Sequence, residues 1–125
     1  MDSAGIEILR EKSYENYEAA MLLQNKKYYA ASINRYYYST LQAMKYAVLK
    51  NNPHFQPPVG KGSHDAIYEQ YQLIVDRKSR PKATDFITMK KYRNDADYSV
   101  RHITENEFNE FFRYFMNIYW KIDKC

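Results

Sequence analysis

The sequence predicts an all-α protein, an up-and-down bundle of about five helices, and three observations carry the fold class. Its three glycines and four prolines lie almost all between residues 53 and 81, which leaves the rest of the chain with few helix breakers. Apolar and aromatic side chains recur at steps of three and four along most of its length. Nothing alternates at period two for long enough to propose a strand. At 125 residues the chain fits a single domain, 1–125, large enough to bury a core without disulfides or structural metal.

The first helix is expected from about Ser3 to Asn25, with Ser3 as N-cap and Ala19, Ala20, Leu22 and Leu23 strengthening its second half. A short break near Lys26 leads into a second helix reaching about Asn51, which buries Ile33, Tyr37, Leu41, Met44 and Val48 at spacings of four, four, three and four. The two make an antiparallel hairpin. Asn51 to Gly62, with three prolines and two glycines, reads as a loop. Ser63 is placed to cap a third helix running to about Lys78, with Ile67, Tyr71 and Ile74 on one side. Arg80-Pro81 interrupts it, because the residue before proline is steered away from helical angles. Thr84 is placed to cap a fourth helix in which Phe86, Met89, Ala96 and Val100 form a row, with Arg93 on the same row. The pattern ends near Val100. Thr104-Glu105-Asn106-Glu107 is a capping-box sequence opening a fifth helix, where Phe108, Phe111, Phe115, Ile118 and Ile122 recur at three, four, three and four. Short connections make sequential helices the expected neighbours.

Composition narrows the function classes. The one cysteine, Cys125, is the last residue, so no internal disulfide forms and a reducing cytoplasmic setting is expected. No apolar run approaches the roughly 20 residues of a membrane span, and the segment MDSAGIEILREK lacks the order of a signal peptide; a soluble protein is expected. His54, His64 and His102 show no metal-ligand spacing, so neither metal nor other cofactor is expected. Gly60-Lys61-Gly62 lacks the spacing of a phosphate loop, and Ser63 and Ser99 have structural explanations as cap and helix-surface residue. The net charge is +4, with a local basic region of Arg77, Lys78, Arg80, Lys82, Lys90, Lys91 and Arg93 opposed only by Asp85. That region reads either as a solvated loop and helix face or as an RNA surface. The 14 tyrosines offer stacking surface to bases, but at helical spacing packing explains them better.

Two arginines stand where a guanidinium needs partners. Arg35 interrupts the aromatic row of the second helix, and Arg93 that of the fourth. Asp97 falls roughly 40° round the helix from Arg93 and Tyr98 about 140° away, so an Arg93–Asp97 pair is expected. That pair orders the bundle, or else Arg93 and Asn94 hold a phosphate, the arginine through its fork of donors and the asparagine through its amide. His102, one turn beyond Tyr98, is a candidate proton carrier, although on a straight helix it lies about 180° from Arg93, and a break after Asp97 or a symmetric dimer is needed to bring the two together. His64, in the first turn of the third helix, is expected in a surface or N-terminal hydrogen bond, with catalysis as the alternative, and is kept among the binding candidates. Candidate catalytic residues are therefore Arg93, Asn94, Tyr98 and His102; candidate binding residues are Arg35, His64, Asp97, Lys90 and Lys91.

With these residues in view the chain resembles the HEPN superfamily, the higher eukaryote and prokaryote nucleotide-binding domains. The resemblance rests on YYAASINRYYYSTLQAMKYAVL, similar to the family's second helix; on Lys61-Gly62-Ser63-His64, similar to the start of its third; and on Arg93-Asn94-Asp95-Ala96-Asp97-Tyr98, similar to its late arginine motif. It implies a helical bundle that forms a homodimer, binds RNA or a nucleotide, and is paired with a minimal nucleotidyltransferase in toxin-antitoxin or defence modules. Many members are metal-independent endoribonucleases with arginine, four to six residues, then histidine. Here the position after four residues holds Tyr98, and His102 comes after eight. A phenol is a poor general base at neutral pH, so a binding module and a dimeric endoribonuclease both stay open. The sequence looks like the branch with an arginine-x-x-alanine-aspartate-tyrosine motif.

Overall fold

The computed structural model describes residues 1–60, 62–75 and 77–122. Its elements are α1 (Ser3–Asn25), α2 (Tyr29–Asn51), α3 (Ser63–Ile74), a short 3₁₀ turn (Arg77–Ser79), α4 (Ala83–Tyr98) and α5 (Glu105–Tyr119). This is the expected all-α bundle, and among the described residues no helix is long and apolar enough to cross a membrane.

α1 and α2 form the antiparallel hairpin. Ser13 Oγ donates to the Ser39 carbonyl at 2.8 Å while Ser39 Oγ donates to the Ser13 carbonyl at 2.7 Å, and Ser32 Oγ donates to the Ala20 carbonyl at 2.8 Å. Small side chains let the two backbones approach, and each buried hydroxyl is satisfied by the opposite helix. The turn between them is tight. Tyr28 N donates to Leu23 O and Lys27 N to Gln24 O, both at 2.9 Å, while Lys27 takes φ 62°. That is a Schellman ending with a lysine where glycine or asparagine is preferred.

Rather than each helix leaning chiefly on its sequence neighbours, α2 is the hub against which α1, α3, α4 and α5 all pack. The cause lies in its sequence: buried positions such as Ser32, Tyr36, Tyr37, Ala43, Met44 and Leu49 fall on every side of it, not on one stripe. All five residues expected to be buried on α2 are buried, as are all five of the aromatic row beginning at Phe108. Tyr36 meets Phe115 at 4.6 Å between ring centroids, and Tyr17 lies parallel to Tyr119 at 5.3 Å. Beyond α5, Trp120 stands edge-on to both Tyr17 and Tyr119. Packing thus accounts for Tyr36, Tyr37, Tyr46, Tyr68, Tyr71 and Tyr119.

Several boundaries differ from expectation for local reasons. Asp2, not Ser3, caps α1, its carboxylate accepting from Gly5 N at 2.7 Å. Gly62 precedes α3, so Ser63 is its first residue rather than its cap; α3 stops at Ile74, short of Lys78. α4 begins a residue before Thr84, with Lys82 at the cap and its N–H donating to Asp85 at 3.2 Å. α4 ends at Tyr98, which leaves Ser99 as C-cap and Val100 outside the helix and fully exposed, while Phe86 and Met89 of the same expected row are buried. Thr104 caps α5 as expected: it accepts from Glu107 N at 3.2 Å, and Glu107 accepts from Thr104 N at 3.0 Å.

Candidate functional site

Three consecutive tyrosines on a helix point in directions about 100° apart, so they cannot all enter one core. Tyr36 and Tyr37 are buried, and Tyr38 is half-buried at the edge of the bundle. Arg93 of α4 crosses this edge, its guanidinium 5.0 Å from the Tyr37 ring centroid and 5.8 Å from that of Tyr38. Its side chain is only 12% exposed. Arg93 Nη1 lies 3.5 Å from an Asp97 oxygen, a long contact, and Asn34 Nδ2 of α2 donates to both Asp97 oxygens at 3.2 Å. The expected Arg93–Asp97 pair therefore exists and is anchored from a second helix. Arg93 Nε is buried with no hydrogen-bond partner among the described residues.

From the other side comes His64. Its Nδ1 is 2.8 Å from Tyr37 Oη, and its ring stands edge-on to Tyr38 at 6.0 Å. Burial holds the His64 imidazole below its ordinary pKa, assisted by the positive charges of Lys90 and Arg93 and opposed by Asp65. Burial also pushes the Tyr37 phenol well above its ordinary pKa, with Arg93 pulling the other way. Lys90 reaches across from α4 to Asp65 of α3 at 3.3 Å.

His64 and Tyr38 also border a cleft of about 780 Å³ between α2, the segment after it and the start of α3. Tyr38, Gln42, Lys45 and Leu49 of α2 line one wall and His54, Phe55, Ser63 and His64 the other. Among the described residues no aspartate or glutamate lines it. The cleft therefore combines aromatic faces, amide and hydroxyl groups, and three side chains able to carry positive charge. Tyr38, Gln42, Lys45 and Leu49 follow helical spacing, so their common face was readable in the sequence. What hid the site is that its second wall comes from a loop and from α3.

The other candidates are dispersed. Asn94 is exposed, Tyr98 is 76% exposed at the last turn of α4, and His102 is exposed in the connection beyond it. Among the described residues neither a hydrogen bond nor an ion pair joins His102 or Tyr98 to Arg93. Arg101, between them, donates to both Glu107 oxygens at 2.8 Å and lies 3.5 Å from Asp95, tying the end of α4 to α5. Arg35 is exposed and donates to Asn16 at 3.1 Å; Lys91 is exposed on α4. The structure thus brings together Arg93, Asp97, His64 and Lys90, adds Tyr37, Tyr38 and Lys45, and leaves Asn94, Tyr98, His102, Arg35 and Lys91 apart. Lys61 and Cys125 lie outside the described residues. Among those described, no three His, Cys, Asp or Glu side chains gather in the manner of a metal site. No protein-family model, curated protein or solved structure matches the chain.

Proposed function

We propose that the protein is an HEPN-type bundle that binds RNA or a nucleotide in the cleft beside His64, and that it acts as a homodimer paired with a minimal nucleotidyltransferase in a toxin-antitoxin or defence module. One observation carries the ligand class: the cleft offers Tyr38 and Phe55 as faces for a base and Lys45, His54 and His64 for a phosphate, with no carboxylate among its described lining residues to repel an anion. Its volume of about 780 Å³ is in the range of small-molecule sites. The homodimer and the nucleotidyltransferase come from the sequence resemblance. Arg93 in this reading supports the site from behind, since its charge is answered by Asp97.

Fluorescence anisotropy with a short labelled single-stranded RNA, competed by AMP, tests the reading. Lys45→Ala and Tyr38→Ala should each weaken binding about tenfold, the size of one lost stacking or phosphate contact. Arg113→Ala, exposed on α5, which contributes no residue to the described lining of the cleft, should leave affinity unchanged. Equal losses at all three positions would mean diffuse electrostatic attraction rather than a cleft site.

A further inference from the structure

Tyr37 sits between a guanidinium and an imidazole, and that placement fixes where its hydrogen goes. A phenol carries one hydrogen and two lone pairs, an arginine only donates, and a neutral imidazole has one donor and one acceptor nitrogen. With Arg93 on one side of Tyr37 and His64 Nδ1 at 2.8 Å, the one acceptor offered to the hydroxyl hydrogen by these two groups is Nδ1. The lone pairs are left for Arg93, whose positive charge pulls the phenol toward its ionised form. Asn34 and Asp97 complete the chain, the amide holding the carboxylate and the carboxylate holding the guanidinium.

We propose that Arg93 and Tyr37 are positioning residues that hold His64 as the tautomer with its proton on Nε2, so that the imidazole presents an N–H donor, not a lone pair, to a phosphate oxygen in the cleft. The ligand half of this inference rests on the nucleotide-binding reading; the tautomer half rests on the Tyr37–His64 contact and on the groups around it, and needs no ligand. The groups facing His64 from each element fit a neutral ring. α2 contributes Tyr37, Tyr38 and Lys45, α4 contributes Lys90 and Arg93, and the loop before α3 brings His54 to the same cleft. Asp65, the adjacent residue on α3, is the acidic group that favours the charged ring, and Lys90 engages it at 3.3 Å. An N–H donor beside Lys45 suits an anion with several acceptor oxygens and selects against cations and hydrogen-bond donors. It also gives Arg93 a part in recognition although Arg93 does not line the cleft.

Long-range ¹H–¹⁵N spectra of the imidazoles read the tautomer directly. In the wild type, His64 should show a protonated Nε2 and an acceptor Nδ1. Tyr37→Phe should give a mixture of tautomers, and Arg93→Gln should move the His64 titration to higher pH. A wild-type His64 protonated on Nδ1, or a Tyr37→Phe variant that keeps one tautomer, overturns the lock. Should Tyr37→Phe fail to fold, the wild-type spectrum and Arg93→Gln still decide. The binding arm uses the labelled RNA: Tyr37→Phe should weaken it about 2- to 10-fold, the worth of one oriented hydrogen bond. Scrambled tautomers with unchanged RNA affinity overturn the donor role. Failure of the wild type to bind RNA or AMP overturns the cleft reading and the donor role with it, while the spectra judge the lock separately.

Discussion

Arg93→Ala tests how the bundle holds a nearly buried cation. The Arg93–Asp97 contact is long, 3.5 Å, and its side chains are 12% and 23% exposed, which puts the pair between the surface case of about 0–1 kcal/mol and the buried case of about 3–5. Removing Arg93 does not orphan Asp97, because Asn34 still donates to both of its oxygens. The pair is thus worth about 1 kcal/mol. Loss of the guanidinium over Tyr37 and Tyr38 removes about 1 kcal/mol more, and loss of the aliphatic stem about the same. Against this, deleting the buried, unpartnered Nε relieves about 1 kcal/mol of desolvation. The expected loss is about 2 kcal/mol, or roughly 8 °C in melting temperature for a domain of this size. Urea unfolding followed by circular dichroism measures it, with Arg93→Met separating stem from charge. A cycle with Asp97→Asn should return a coupling of about 1 kcal/mol. A loss under about 0.5 kcal/mol would refute the packing described for Arg93; one above about 4 would mean that Asn34 does not stabilise the abandoned carboxylate.

Three further outcomes are expected. The side-chain bonds from Arg101, with the Thr104 N–H, depress the Glu107 carboxyl from an ordinary 4.5 to about 2, so its stabilisation is complete above pH 4.5 and is lost as the pH falls toward 2; Glu107→Gln should flatten stability against pH in that window, as measured by thermal melts. Lys27→Gly should raise stability by about 0.5–1 kcal/mol, since φ 62° strains a lysine and not a glycine, and urea midpoints will show it. Wild-type protein incubated with total RNA in EDTA should leave it intact, because the position after four intervening residues from Arg93 holds Tyr98, a phenol and a poor general base at neutral pH, in place of histidine. Fragments ending in 2′,3′-cyclic phosphate, abolished by His102→Ala, would instead establish the endoribonuclease.

What the sequence displayed depended on how far apart the interacting residues were. The α2 and α5 rows were legible because amphipathic spacing is a local property, and so was the Thr104–Glu107 box. Other caps slipped by a residue or two because neighbouring acceptors compete for the end of a helix: the Asp2 carboxylate takes the Gly5 N–H, and the Asp85 carboxylate accepts the N–H of Lys82, ahead of Thr84. Val100 continued the α4 row on paper, but the helix had ended. The Arg93–Asp97 pair, four residues apart, was readable; the Tyr37–His64 bond, 27 residues apart, was not. Lys45 did not stand out in the sequence, because the loop that turns its surroundings into a cleft carries no period.

The position of Trp120 has an optical consequence. The chain has one tryptophan and 14 tyrosines, and Tyr119 and Tyr17 lie 5.7 and 6.1 Å from the indole. At such separations excitation absorbed by a phenol passes to the indole before the phenol can emit, so the folded bundle funnels its light to one emitter. Trp120 is 53% exposed, and its emission wavelength therefore shifts little when the chain opens. The sensitive signal is the tyrosine band that returns once α1 and α5 separate and the donors emit for themselves.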